Sequence, residues 1–292
     1  MSRAASGARA GDAEGIAPQS WCDLIVRRCG LAFRHIRLPE VIGIVHGQMR
    51  ARGIAEETAY YALLAAPGDA GGEWEALIER LTNHETSFFR HPPSFDALRL
   101  HILPELRATR PPGNRLSLWS AGCSTGQEAY SLAMCAIADN PAGQFTVWGS
   151  DISPKAIKTA RQAQFGRRAV ATIPDHFRQR YLVPVRDAAA GEFAIADDLR
   201  QRVRFMVTNL IEPDGFRASH DVVFCHNVLI YFSPAAVTHA VNRLAQSVGL
   251  GGYLLLGPGE APHDRPPGLE PVMINGVRAF QRRTARPMEI RP

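Results

Sequence analysis

LWSAGCSTGQEAYSLAM, from Leu118 to Met134, is the stretch on which the fold turns. Its apolar opening reads as a strand and SAGCSTG as a loop of small residues. The remainder opens a helix that brings Tyr130, Met134 and Ile137 into phase. Side chains stay small where something must come close to the backbone, be it another chain segment, a phosphate or a flat ligand. The turn itself, GCSTG from Gly122 to Gly126, lacks the lysine of a P-loop and is not G-x-G-x-x-G.

Toward the C-terminus the same alternation continues. QFTVWGSD reads as a strand, and SPKAIKTARQA as a helix with Ser153 as N-cap and Pro154 in its first turn. RVRFMVTN and HDVVFCHN are strands, SPAAVTHAVNRLAQSV is a second Ser-Pro-capped helix, and GGYLLLG and VRAFQR are the last strands. This rhythm predicts a mostly parallel sheet with helices on both faces, an α/β, Rossmann-like arrangement. Residues 181–200, two short apolar runs around an Ala-Gly loop, interrupt it and read as an inserted hairpin, a small β subdomain around 178–201.

Toward the N-terminus the pattern is helical. Val41, Val45 and Met49 recur at helical spacing, as do Tyr60, Leu63 and Leu64, and then Trp74, Leu77, Ile78 and Leu81. SFDALRLHILPEL is helical too. The expected division is a disordered tail at 1–19, a helical domain at 20–92 and the α/β domain at 93–292. Residues 21–52 carry Arg27, Arg28, Arg34, Arg37, Arg50 and Arg52 against Asp23 and Glu40. That segment is either a solvated face or a docking face for an acidic partner.

The composition bounds the class. The chain has 292 residues, 46% hydrophobic and 21% charged, with a net charge of +5. The positive balance favours acidic partners, among them nucleic acid, anionic lipid or an acidic protein surface. No apolar run approaches the ~20 residues of a membrane span. The first residues lack the apolar core of a signal peptide, so a cytoplasmic protein is expected. Five cysteines without C-x-x-C spacing argue against disulfides or structural zinc, and no metal is expected.

Two carboxylates narrow the ligand. Glu128 falls in the first turn of the helix after the loop, where the helix dipole alone would favour it. Asp151 ends the second strand, where dinucleotide folds place the group that holds ribose hydroxyls. A carboxylate beside the loop would repel a pyrophosphate but suits a nucleoside with a positive centre. S-adenosylmethionine has a cationic sulfonium and a ribose free of phosphate. An ordinary α/β turn with a solvated glutamate is the other reading.

HETSFFRHPPSF, WSAGCSTGQEAYSLAM, GSDISPKAIKTAR, VTNL and DVVFCHNVLIYFSP occur in this order. Together they resemble the CheR-type protein-glutamate O-methyltransferases of bacterial chemosensory systems, over most of the chain from about residue 20. The resemblance implies a class I methyltransferase domain with an N-terminal all-α domain and a small inserted β subdomain. It implies methyl transfer from S-adenosylmethionine to glutamates on the acidic helical bundle of a methyl-accepting chemoreceptor, with S-adenosylhomocysteine as product. Carried over position by position, it implies cofactor contacts from Thr86, Arg90, Glu128, Asp151, Asn209, Leu210, His226 and Asn227, joined by Gly122 of the glycine turn. Tyr231 matches a tyrosine near the transferred methyl, and Arg90 and Tyr231 are the expected orienting groups of the reaction. No nucleic acid partner, no membrane insertion and a monomer are expected. His84 and His226 stand where the family usually has Asn and Arg, and GPGE stands where it often has GHSE. His91 reads as a loop residue, and Phe88 and Phe89 as packing between the domains. A methyltransferase of RNA or small molecules and a non-catalytic cofactor-binding regulator are the alternatives.

Overall fold

The computed structural model describes residues 15–32, 37–68, 70–111, 113–185, 191–212, 218–262 and 264–283. Most of the expected tail, Arg34 and most of the Ala-Gly loop lie outside them. Helix α1 (Pro18–Cys29) opens just ahead of the expected boundary, with a proline in its first turn, where no intrahelical N–H is needed. It is followed by α2 (Leu38–Arg52), α3 (Glu57–Ala65) and α4 (Glu73–Leu81). The apolar faces read from the spacing are buried, except that Leu63 is 37% exposed.

Next come α5 (Pro92–Ala97), one π-helical turn at Leu98–Ile102 and α6 (Leu103–Thr109). Pro104 has no N–H to offer the preceding turn, which gives the wider turn a local cause. The α/β portion then runs β1 (Leu116–Ala121), α7 (Gln127–Asp139), β2 (Phe145–Asp151) and α8 (Pro154–Gln162). A three-stranded antiparallel sheet follows, ordered β3-β5-β4, with β3 at Gln164–Gly166, β4 at Leu182–Pro184 and β5 at Glu192–Ile195. Short helices α9 (Arg167–Val170), α10 (Asp175–Tyr181) and α11 (Asp197–Arg200) accompany it. The sequence reading had a two-stranded hairpin here, and β3 is an addition. The chain returns through β6 (Val203–Val207), β7 (His220–Cys225), α12 (Pro234–Gln246), β8 (Val248–Leu256), β9 (Glu270–Ile274) and β10 (Val277–Gln281).

Among the described residues the main sheet has seven strands, in the order β6-β2-β1-β7-β8-β10-β9. β6 through β8 are parallel and β10 runs antiparallel to both its neighbours. This is a mixed α/β fold with helical and β subdomains. Side chains of β7 and β8 alternate between two cores. Val222, Phe224, Tyr253 and Leu255 face α5, α6 and α7, in a cluster that reaches Phe165 and Phe177 of the β3–β5 region. Val223, Cys225, Leu254 and Leu256 face the other way, into a cluster shared by α12 and helices α1 to α4. The N-terminal helices therefore cover one face of the sheet.

Candidate functional site

The carboxyl ends of β1, β2, β6 and β7 open into a cleft of about 1010 Å³, its mouth included. β1 is the switch strand, with β2 and β6 to one side and β7 and β8 to the other. Ligands of open α/β sheets bind at that crevice. Residues 81–90, leading out of α4, add a further wall. Thr86, Arg90, Gly122, Glu128, Asp151, Asn209, Leu210, His226, Asn227 and Tyr231 all line this one cleft.

The glycine turn is shaped by two constraints. Gly122 has φ +78°, and a Cβ there would lie 2.3 Å from Val228 Cγ2, so only glycine lets the β1 and β7 loops meet. The Gly122 and Cys123 N–H groups both donate to Ser150 O at 2.8 Å, tying the turn to the end of β2. Asp151 is fixed by two backbone donors, Ser124 N–H to Oδ2 at 2.8 Å and Ser153 N–H to Oδ1 at 3.0 Å. A carboxylate has about four lone-pair sites, so Asp151 keeps acceptor capacity for ribose hydroxyls. Burial nevertheless raises its carboxyl above the usual range, opposed by those two N–H bonds.

Glu128 and His226 are the buried pair of the cleft. Glu128 Oε1 accepts from Ser120 Oγ at 2.7 Å, and Oε2 lies 3.4 Å from His226 Nδ1. The distance would allow an ion pair. Burial, with a contribution from Glu260, pushes the Glu128 carboxyl up to about 8. Burial, reinforced by His91 and Arg90, pushes His226 down to about 3. At neutral pH the two therefore face each other largely uncharged. His226 Nε2 is buried and has no hydrogen-bond partner among the described residues, so the cleft holds a polar atom that a ligand could satisfy.

Around the rim, Arg90 Nη1 donates to Glu85 O at 2.8 Å, and its guanidinium stays exposed. The Asn209 side chain is engaged below the cleft, its Nδ2 donating to Arg28 O at 2.8 Å and to Glu212 Oε1 at 3.2 Å. His84 Nε2 sits 3.0 Å from Thr82 Oγ1 and 3.3 Å from Glu79 Oε2. Glu79 also takes the Ser153 hydroxyl at 2.6 Å, which links α4 to the residue that caps α8. His91 Nδ1 pairs with Ser94 Oγ at 2.8 Å at the start of α5, while Phe88 packs on Phe165 and Phe89 stacks on Phe177.

Glu260 closes the GPGE turn after β8, where the sequence alone assigns it no role. Its carboxylate receives the N–H groups of Asn227 at 2.6 Å, Val228 at 2.8 Å and Ile230 at 3.2 Å. The available signal was an acidic residue closing a Gly-Pro-Gly turn directly after an apolar strand, where a buried carboxylate needs donors.

The donor set fits S-adenosylmethionine: a tethered carboxylate for hydroxyls, a second carboxyl for positive charge, an unsatisfied imidazole nitrogen and apolar walls from Leu31, Leu210 and Phe232. Among the described residues no cluster of His, Cys, Asp or Glu could hold a metal ion, and no helix is long and apolar enough to cross a membrane.

Known sequences bear on this cleft. A family model described as "CheR methyltransferase, SAM binding domain" matches residues 84–272. A probable chemotaxis protein methyltransferase of Rhizobium etli is 29% identical over 248 residues, 82% of this chain and 92% of that one. A probable biofilm formation methyltransferase, WspC, of Pseudomonas putida is 34% identical over 87% of this chain, which spans only 59% of that protein. The chemotaxis protein methyltransferase Cher2 of the same species is 32% identical over 203 residues, 67% of this chain and 72% of that one.

Proposed function

The chain belongs to the CheR family of S-adenosylmethionine-dependent methyltransferases, and from that premise we propose that it methylates glutamate side chains on the acidic helical bundle of a methyl-accepting chemoreceptor. The observation that carries the reading is the meeting of Arg90 and Tyr231 with Glu128 and Asp151 in one cleft. When bound, S-adenosylmethionine supplies an electrophilic methyl on a cationic sulfonium and leaves as S-adenosylhomocysteine. Asp151 would hold the ribose hydroxyls, and Glu128 would face the positively charged part of the ligand. Arg90 has N–H groups beyond the one given to Glu85 with which to orient a carboxylate, and the Tyr231 hydroxyl is the second orienting group.

No general base is required, because a glutamate is already ionised at neutral pH. His226, held down to about 3, is a poor proton acceptor there in any case. The task left to the protein is alignment of two reactants. For the receptor, Arg27 and Arg50 are exposed on the N-terminal helices. Arg28 instead lies over Trp74 at 5.1 Å, and Arg52 pairs with the buried Glu73. The docking face is therefore carried by fewer arginines than the segment contains.

The test is an assay with radiolabelled cofactor and the receptors of the same organism. Base-labile label on receptor glutamates is expected. Tyr231→Phe should lower turnover by ~10- to 100-fold, about 1.4–2.7 kcal/mol of transition-state stabilisation, with cofactor affinity nearly unchanged. Tight cofactor binding without receptor labelling would sink the reading in favour of a regulator, and label on RNA or a small molecule would reassign the substrate.

A further inference from the structure

We propose that Glu260 is the positioning residue of this active site: by receiving three backbone N–H groups, its buried carboxylate sets the loop that delivers His226, Asn227, Val228 and Tyr231 to the cleft. Glu260 is 5% exposed and is not among the residues that line the cleft, so it acts through the loop. The proposal rests on the cleft being the methyl-transfer site.

The loop needs such a fixture. After β7 the chain leaves the sheet, and Asn227 turns through φ +59°, a left-handed conformation that a non-glycine residue adopts at a cost. The short 3₁₀ turn Leu229–Tyr231 follows at once. The N–H groups of Asn227, Val228 and Ile230 point to the Glu260 side, where its two carboxylate oxygens receive them. An acceptor with full negative charge and several lone pairs can serve three donors, as no neutral side chain of this size can.

The turn that carries Glu260 is built around the contact. Gly257 N–H donates to Cys225 O at 3.1 Å and Glu260 N–H to Gly257 O at 3.0 Å, folding the segment after β8 back over the end of β7. A Cβ on Gly257 would lie 1.9 Å from Glu260 Oε2, so a side chain there would displace the carboxylate from the loop. Burial raises the Glu260 carboxyl while the Asn227, Ile230 and Val228 donors favour its ionised form.

A purely structural clamp would hold the loop and do nothing else. Glu260 also places a negative charge near Glu128, where it acts in the same direction as burial. Other charged and titratable groups around Glu128 include Arg90 on the residue 81–90 wall, His226 and the Cys225 thiol at the end of β7, Asp151 after β2 and the Cys123 thiol of the glycine turn. Removing the Glu260 charge should therefore ease ionisation of Glu128 and move the pH dependence of ligand binding downward.

The experiment compares the whole chain with Glu260→Gln and Glu260→Asp. S-adenosylmethionine affinity is measured by calorimetry from pH 6 to 9, alongside hydrogen exchange at residues 227–231 and methyl transfer to receptor. Glu260→Gln keeps the volume but sets an amide donor against backbone donors. It should speed loop exchange by about tenfold or more, move the affinity midpoint to lower pH and cut turnover. Glu260→Asp keeps the charge but withdraws it from the loop, so loop exchange and turnover should suffer while the pH midpoint stays nearer that of the parent. Unchanged loop exchange in both variants, or an unmoved midpoint in a folded Glu260→Gln, overturns the proposal. The calorimetric and exchange measurements need no methyl acceptor, so an error about the receptor would leave them decisive.

Discussion

At Glu128, burial holds a carboxyl up to about 8 in a cleft whose ligand brings positive charge. The ligand favours the ionised carboxylate, so binding below about pH 8 must release a proton. Affinity should rise with pH from about 6 toward 8, by up to one proton's worth of linkage, until the ligand's amino group begins to lose its own charge. Calorimetry of S-adenosylmethionine in two buffers of different ionisation enthalpy reads this release. Glu128→Gln should abolish it and weaken binding, and proton release that persists in that variant would place the titration elsewhere. Asp151 and Glu128 could be read from the sequence because they stand at fixed offsets from a strand end and a helix start. Glu260 is marked by its place at the close of a Gly-Pro-Gly turn, but its partners are not, because they are backbone N–H groups some thirty residues earlier in the chain, and backbone donors carry no residue-type signal. His226 could be placed in the site but not given a charge, since burial decides that and burial is a tertiary property.

At the level of elements, the β1–α7 turn and the loop after β7 fit only because Gly122 has no side chain. Gly122→Ala combines a left-handed φ of +78° with a Cβ 2.3 Å from Val228 Cγ2. Backbone atoms on both loops must shift, at about 1–3 kcal/mol of stability. Thermal denaturation should show that loss, and ligand affinity should fall by at least about tenfold as the loops part. A variant with parental affinity would mean the turn is not part of the binding surface. Helices α8 and α12 were legible from Ser-Pro starts, and the Ser153 and Ser233 hydroxyls do accept from Ala156 and Ala236 N–H; the short helices α9, α10 and α11 carried no such signal. β9 was missed because Pro271 and exposed Met273 give it the look of a loop, which an edge strand can afford. β3, only Gln164–Gly166, is too short to carry a pattern and exists through its pairing with β5.

For the whole molecule, periodicity revealed the helices α1 to α4 but not what they cover. Their apolar faces share one cluster with Val223, Leu254, Phe280 and α12. Leu77 is fully buried in that cluster, so Leu77→Ala should cost about 2–5 kcal/mol. Calorimetry should show the loss in a single transition that includes the sheet. Two transitions, with only the first lowered, would show that the helices unfold apart from it. The end of α1 goes further than packing. Ala32 N–H donates to Tyr231 O at 2.7 Å, Ser233 N–H donates to Gly30 O at 2.9 Å, and Leu31 bridges Phe232. These are main-chain bonds, so apart from Gly30, whose φ of +76° and a Cβ only 2.9 Å from Ala236 Cβ call for glycine, changes of side chain matter less to them than a change in length on either segment. Residues 30–32 and 231–233 thus have to travel together: a chimera that exchanges N-terminal helices between relatives must preserve the spacing on both sides of this splice, or the tyrosine will arrive out of register.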